Sequence, residues 1–341
     1  MTRQQDQHAI LRGMKGAFRL LRDLGLDQGQ KRAQRVDVFD SIDRTGAVLM
    51  FQPLDKLLGA FMKEGGAAGI ILNTERPLGM QRFTAAHELG HWVLGHDPHA
   101  DDEGILRRGP LADGRVFKRV PPEEREADAF ASYFLLPTHL IKTQMEVQGW
   151  DVHHLANPDT VYQAALRFGT SYAGAIYGLE REKVIGQDLR RQLLAAKPKD
   201  LKLALLDGQP LPNSRRSDVW LLTERDEGAV IEAGRDDLFL LRLNEATGAG
   251  YVWSFDELKE AGFAILKDGR EPVPEGQLGA PTVRRVLAQA GQPTANTFRL
   301  KECRPWDPDD DPQTLTLHYR TATSDEAGQF ERQRLERLTV Q

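Results

Sequence analysis

A single cysteine, Cys303, stands in 341 residues. One thiol cannot close an internal bridge, so the disulfide frameworks of small secreted domains are excluded. Excess positive charge is also lacking: 45 Lys and Arg against 50 Asp and Glu leave a net charge of -5. That balance gives no electrostatic argument for nucleic acid or anionic membrane as the main partner. No apolar run is long enough to span a bilayer, and the polar opening MTRQQDQHAI holds no apolar signal segment. The chain is therefore expected to work in the cytoplasm, away from membranes. Internal repeats are absent. The one biased run, DPDDDP at 307–312, lacks the spaced ligands and glycine of a calcium loop and reads as a solvated turn.

What is present is length enough for about two domains. Leu11, Met14, Phe18, Leu21 and Leu24 recur at spacings of three and four, which predicts an amphipathic helix packed through that stripe. AVLMFQPL (47–54) and AAGIILN (67–73) read as strands, and RFTAAHELGHWVLGHD (82–97) as a helix. PPEEREADAFASYFLLP (121–137) has the early proline, acidic first turn and closing proline of another helix. Residues 157–182 read as two short helices broken at FGTS, in a helix-turn-helix-like arrangement. Beyond about residue 205 the pattern turns to short apolar stretches between Gly, Pro and Asp clusters, an all-β signature. The expected division is an α+β domain over 1–190, a linker over 191–218 in which KPKDLKLALL reads as a helical fragment, a β-domain over 219–325 and a tail over 326–341.

The chemistry lies first in HELGH. Positions four apart share a helix face, so His87 and His91 can present two imidazoles to one zinc ion. Glu88 projects about 100° away, beside the water that zinc would acidify, where it can act as general base. The bland alternative is a helix that merely carries two hydrogen-bonded histidines. The metzincin spacing is missed by one residue, at Gly95 and His96. A third ligand is then sought on the helix about 35 positions later, among Glu123, Glu124 and Glu126. Glu126, just ahead of the apolar stripe Ala127, Phe130, Ala131 and Phe134, is the expected ligand. Asp128 is expected to accept an imidazole N–H, while Glu123 and Glu124 read as a solvated first turn that suits the helix dipole.

IILN, RFTAAHELGH and EADAFASYFLLP together resemble the ImmA/IrrE family of metallopeptidases, and ALRFGTSYAGAIYGL is similar to the segment after its active site. The resemblance covers about residues 5 to 185. It implies a zincin-like zinc endopeptidase with His87, His91 and Glu126 as ligands and Glu88 as base. It also implies a protein substrate, a transcriptional repressor, cleaved in a stress or mobile-element response. Arg167, Arg181 and Lys183 are offset by Glu180 and Glu182, so DNA binding by the 157–182 segment is disfavoured. Tyr133, Tyr162, Tyr172, Tyr177, His153 and His154 are candidates for stabilising an oxyanion, each with an ordinary structural reading.

In the β region, LNEATGAGYVW (243–253), GQLGAPTVR (276–284) and CRPWD (303–307) resemble, in order and spacing, the three loops of chagasin-like inhibitors of cysteine proteases. That likeness implies an immunoglobulin-like β-sandwich whose loops bind a protein, through Asn244, Thr247, Gly248, Tyr251, Trp253, Gly279, Arg304, Pro305 and Trp306. Two departures stand out: two extra residues before Tyr251, and Ala280 and Pro281 where the pattern has glycines. They favour a binding or sensing domain over an inhibitor, and the alternative reading is that all three aromatics are core. The rival for the whole chain is a non-catalytic zinc regulator. A structural zinc site is closed by four protein ligands, usually with cysteines, and Cys303 lies in the β region.

Overall fold

Helix α1 (Arg3–Asp23) forms where the three-and-four spacing predicts it, but only part of the predicted stripe is buried. In the computed structural model, Ala9, Gly13, Gly16, Ala17, Leu20 and Leu21 are buried, whereas Leu11 and Phe18 are 47% and 41% exposed. Small residues face inward because a neighbouring helix comes too close for larger ones. The structure describes residues 3–27, 35–54, 57–64, 66–102, 121–213, 217–234, 236–271, 282–291, 295–307, 310 and 313–322. The chain divides into two compact units that meet in sequence at Ala195 and Ala196.

In the first unit, α2 (Val38–Arg44) is capped by Asp37, whose carboxylate accepts from the amides of Phe39 and Asp40. Strands β1 (Val48–Gln52), β2 (Leu57–Glu64) and β3 (Ala67–Asn73) follow, then α3 (Leu78–Leu94) and β4 (His99–Asp102). The sheet order is β1-β3-β2-β4, with β1 parallel to β3 and the other pairs antiparallel. Ile70, Leu72 and Phe61 of this sheet meet Ala85, Ala86 and Leu89 of α3 in one core. Helices α4 (Pro122–Leu135), α5 (Thr138–Gln148), α6 (Pro158–Phe168), α7 (Tyr172–Arg181) and α8 (Gln187–Ala195) complete the unit. Phe130, Ala131 and Phe134 of α4 join the same core.

The second unit opens with α9 (Pro198–Leu206), the helical fragment expected ahead of the linker, which belongs to the β-domain. Leu206 is packed with Val219, Leu238, Leu240 and Leu287, so apolar burial fixes this helix to the β-domain. Strands β5 (Val219–Leu222), β6 (Val230–Gly234), β7 (Leu238–Glu245) and β8 (Val252–Ser254) lead to a short helix α10 (Asp256–Glu260). Then come β9 (Phe263–Arg270), β10 (Thr282–Ala290), β11 (Ala295–Cys303) and β12 (Gln313–Ala322). They form two four-stranded sheets, β5-β7-β10-β9 and β6-β12-β11-β8. Rings from both sheets interlock: Tyr319 of β12 lies 5.2 Å from Phe239 and 4.7 Å from Phe263, and Phe263 lies 5.4 Å from Phe298. Gly279 and the expected tail lie outside the described residues. Among the described residues no helix is long and apolar enough to cross a membrane.

One buried acid ties the start of the second unit together. Asp237 accepts from the amides of Asp218 (2.7 Å) and Gly234 (2.8 Å) and from Trp220 Nε1 (3.2 Å). Burial, and then the charge of Asp218, push its carboxyl up to about 7, against the pull of those three donors. Its proton is thus held more tightly folded than unfolded. The stability it contributes is complete below the ordinary carboxylate range and is lost as pH rises through about 7. The urea midpoint of the chain should therefore fall between pH 5 and pH 8. Asp237→Asn should flatten that dependence even where it lowers the midpoint itself, and an unchanged slope would count against this assignment.

Candidate metal centre

Helices α3 and α4 cross at a glycine. A β-carbon on Gly90 would sit 3.2 Å from Ala127 Cα and 3.1 Å from a ring carbon of Phe130, so the missing side chain sets how closely the two helices approach. On α3 the 3.6-residue turn stacks His87 over His91, with ring centroids 4.8 Å apart and Nε2 atoms 3.0 Å apart. On α4, Glu124 brings one carboxylate oxygen to 3.4 Å from His87 Nε2 and the other to 3.7 Å from His91 Nε2. All three side chains are buried, and one ligand atom from each lies within 4.8 Å of the others.

The carboxylate that meets the two imidazoles is thus Glu124, two residues from the expected ligand Glu126. Glu126 instead places Oε2 2.9 Å from His96 Nε2 and 2.7 Å from Arg12. The cause is that α4 has two packed faces. Ala127 meets α3 at Gly90, while the carbonyl of Glu126 and Ala129 meet α1 at Gly13. Residues two apart project about 200° apart on a helix, so Glu124 and Glu126 serve different neighbours. The sequence does hold a usable signal. Asp128, expected beside an imidazole, is one turn from Glu124 and shares its face, not that of Glu126.

Asp128 does meet that histidine, with Oδ1 3.0 Å from His87 Nδ1. An ionised carboxylate only accepts, so Nδ1 carries the proton and His87 Nε2 the lone pair. On His91, Nδ1 lies 2.9 Å from His96 Nδ1, and the same logic, carried through Glu126, leaves its Nε2 unprotonated. Two imidazole nitrogens and a carboxylate then converge in a buried space, a set of donors that a cation among them would satisfy. Two nitrogens and one carboxylate fit zinc. Glu88, one residue on from His87, is fully buried. A β-carbon on Gly59 would stand 3.2 Å from Glu88 Oε1, so strand β2 passes directly across this carboxylate.

The oxyanion candidates separate from this cluster. Tyr172 donates its hydroxyl to the Leu193 carbonyl, and Tyr133 packs edge-on to Phe18 beneath the Arg181 guanidinium. Tyr162 is buried, Tyr177 stacks with Arg190, and His153 and His154 are exposed.

In the second unit, two of the three expected loops form one tip. Arg304 lies over the Tyr251 ring at 4.4 Å and donates to the Ala249 carbonyl and to Asp310, which also accepts from Tyr251. The Trp306 ring covers Gly250 and is 73% exposed, beside exposed Pro305. Trp253 is 3% exposed and donates Nε1 to the Asn244 carbonyl, so it is core. Asn244 is held by Glu224, Thr247 bonds Thr282, and Gly248 is exposed in the turn between them and Tyr251. The sequence pattern does not single out Glu245. In the structure its buried carboxylate accepts from the Trp253 amide (2.9 Å), Arg270 (2.6 Å) and Arg284 (3.4 Å), bracing the loop.

Comparison with known proteins matches residues 42–180 to the IrrE N-terminal-like domain family, Peptidase_M78. Residues 232–320 match the chagasin family of peptidase inhibitors, I42. Over 96 residues the chain is 26% identical to Amoebiasin-2 of Entamoeba histolytica, covering 28% of this chain and 77% of that protein. Similar solved structures include a cysteine protease inhibitor of Entamoeba histolytica, at 21% identity over 31% of this chain and 96% of that one, TM-score 0.26. PbICP-C in complex with falcipain-2 is another, at 14% identity over 31% and 90% of the two chains, TM-score 0.19. The two matches fall in separate parts of the chain, each over less than half of its length.

The two tryptophans should separate on substitution. Trp253→Ala is expected to cost about 3–5 kcal/mol, as for a large buried ring, and Trp306→Ala less than about 0.5 kcal/mol, as for an exposed residue. Urea unfolding of each variant checks this, and equal losses would contradict it.

Proposed function

We propose that the first unit is a zincin-like, zinc-dependent endopeptidase, with His87, His91 and Glu124 holding the metal and Glu88 as general base. The observation that carries the reading is the convergence of two imidazole Nε2 atoms, 3.0 Å apart, with the Glu124 carboxylate in a buried site. Zinc held by three protein groups with one position open supplies Lewis-acid activation of water and of a peptide carbonyl. The protein does the rest. Asp128 holds the His87 ring in the tautomer that turns its Nε2 inward. Glu88, on the same helical turn as His87, takes the proton of the attacking water and returns it to the departing amine. The membership of residues 42–180 in a metallopeptidase-type family supports this chemistry.

The substrate is read as a regulatory protein, a transcriptional repressor of a stress or mobile-element response, cleaved in the cytoplasm. The second unit is read as an immunoglobulin-like sandwich that binds a protein partner through the tip built from Tyr251, Arg304 and the exposed Trp306. Exposed aromatics on a braced loop are the usual anchors of such contacts. Inhibition of a papain-like protease by the full chain, lost in Trp306→Ala, would assign the partner to that class, and no inhibition would assign the tip to substrate or signal binding.

The purified chain should bind about one zinc. His87→Ala, His91→Ala and Glu124→Ala should abolish stoichiometric binding, and Glu123→Ala should leave it unchanged. Glu88→Gln should keep the metal while slowing cleavage by about 10²–10⁴-fold. Elemental analysis, with a proteome-wide search for fragments that appear only with intact Glu88, checks both. Zinc retained in both histidine variants would refute the site.

A further inference from the structure

The histidine pair is held by more than its own two helices. Helix α3 ends in a left-handed Gly95 (φ 74°), with the Gly95 amide on the Trp92 carbonyl and the His96 amide on the His91 carbonyl. This is the pairing of a Schellman motif, which folds the chain back over the last turn. It carries the His96 ring onto His91, at 4.8 Å between centroids, with the two Nδ1 atoms 2.9 Å apart. His96 Nε2 then stands 2.9 Å from Glu126 Oε2, and Arg12 of α1 stands 2.7 Å from that oxygen. Arg12 also donates to the Leu94 carbonyl at 3.0 Å. The backbone of α1 meets the same residue, since a β-carbon on Gly13 would collide with the Glu126 carbonyl oxygen.

With neutral imidazoles, one order of protons satisfies the contacts of His96. Glu126 accepts from both Arg12 and His96 Nε2, so His96 Nδ1 is an acceptor, and His91 Nδ1 must donate to it. His91 Nε2 is then left as the basic atom that faces His87. We propose that His96, Glu126 and Arg12 are positioning residues that set the tautomer and ring orientation of His91. Helix α1, which lies ahead of the family-matched residues 42–180, is on this proposal a working part of the metal centre. The proposal rests on the zinc reading above. It turns the carboxylate that the sequence favours as a ligand into the group that aims one.

The test uses the full chain, with zinc affinity read by chelator competition and ligand geometry by the visible absorption of the cobalt(II) form. His96→Ala, Glu126→Gln and Arg12→Ala should each keep one metal per chain but weaken zinc by about 10- to 100-fold, with a shifted cobalt band. His96→Asn restores an acceptor oxygen opposite His91 and should recover much of the loss, which a purely structural role of the imidazole would not produce. His87→Ala is the reference for a lost ligand. If Glu126→Gln matches His87→Ala while His96→Ala binds normally, Glu126 is itself a ligand and the relay is overturned. If all three variants bind zinc as tightly as the parent chain, the relay is overturned and the zinc site stands. A parent chain that binds no zinc overturns both.

Discussion

The first unit depends on how closely α3 and α4 can approach. Gly90 removes the one side chain that would hold them apart, and Ala127 and Phe130 fill the place where it would have been. Only at that separation does a short side chain such as glutamate span from one helix to both imidazoles of the other. The four-stranded sheet behind α3 and the apolar core shared by Phe61, Ile70, Leu89, Phe130 and Phe134 keep the crossing in place. Packing at interior density tolerates little displacement, so the ligand geometry inherits the rigidity of the core.

That rigidity has to accommodate an unusual amount of buried charge. His87, Glu88, His91, His96, Glu124, Arg125 and Glu126 are all buried within this one crossing. Buried ionic groups are costly unless paired, and α1 supplies part of the pairing. Besides Arg12 on Glu126, its Asp6 lies 2.7 Å from Arg125. Neighbouring residues on one face of α4 thus find opposite charges on α1, which explains why a helix with so few large apolar side chains facing inward is held so close. The second unit uses the same device on a smaller scale, with the buried Glu245 carboxylate shared between the Trp253 amide and two arginines.

Much of the secondary structure is legible in the amino-acid sequence. Strands at 48–52 and 67–73, the helix boundaries marked by Pro122 and Gly169, and the change to β-structure in the second half follow from periods of two and 3.6 and from turn residues. The helical fragment that opens the expected linker is legible and becomes α9, but its partner is not, because Leu206 meets β7 and β10 only once they are in place. The stripe on α1 misleads in part. Leu21 of the stripe is buried, yet Leu11 and Phe18 are exposed, because close packing selects Ala9, Gly13, Gly16 and Ala17 over that part of the helix.

By itself the sequence determined the local geometry: two histidines one turn apart, a glutamate beside them, a second acidic helix, and aromatics near β-turns. Local periodicity states which side chains share a face, because that depends only on rise and twist per residue. Which face meets which neighbour is decided by packing between segments far apart in the chain. Tertiary structure therefore placed the Glu124 carboxylate beside the imidazoles, set His96 against His91 and Arg12 against Glu126, and put Trp253 inside and Trp306 outside. A helix such as α4, apolar toward two partners at once, marks the partner that bears the histidines only through Asp128, one turn from Glu124.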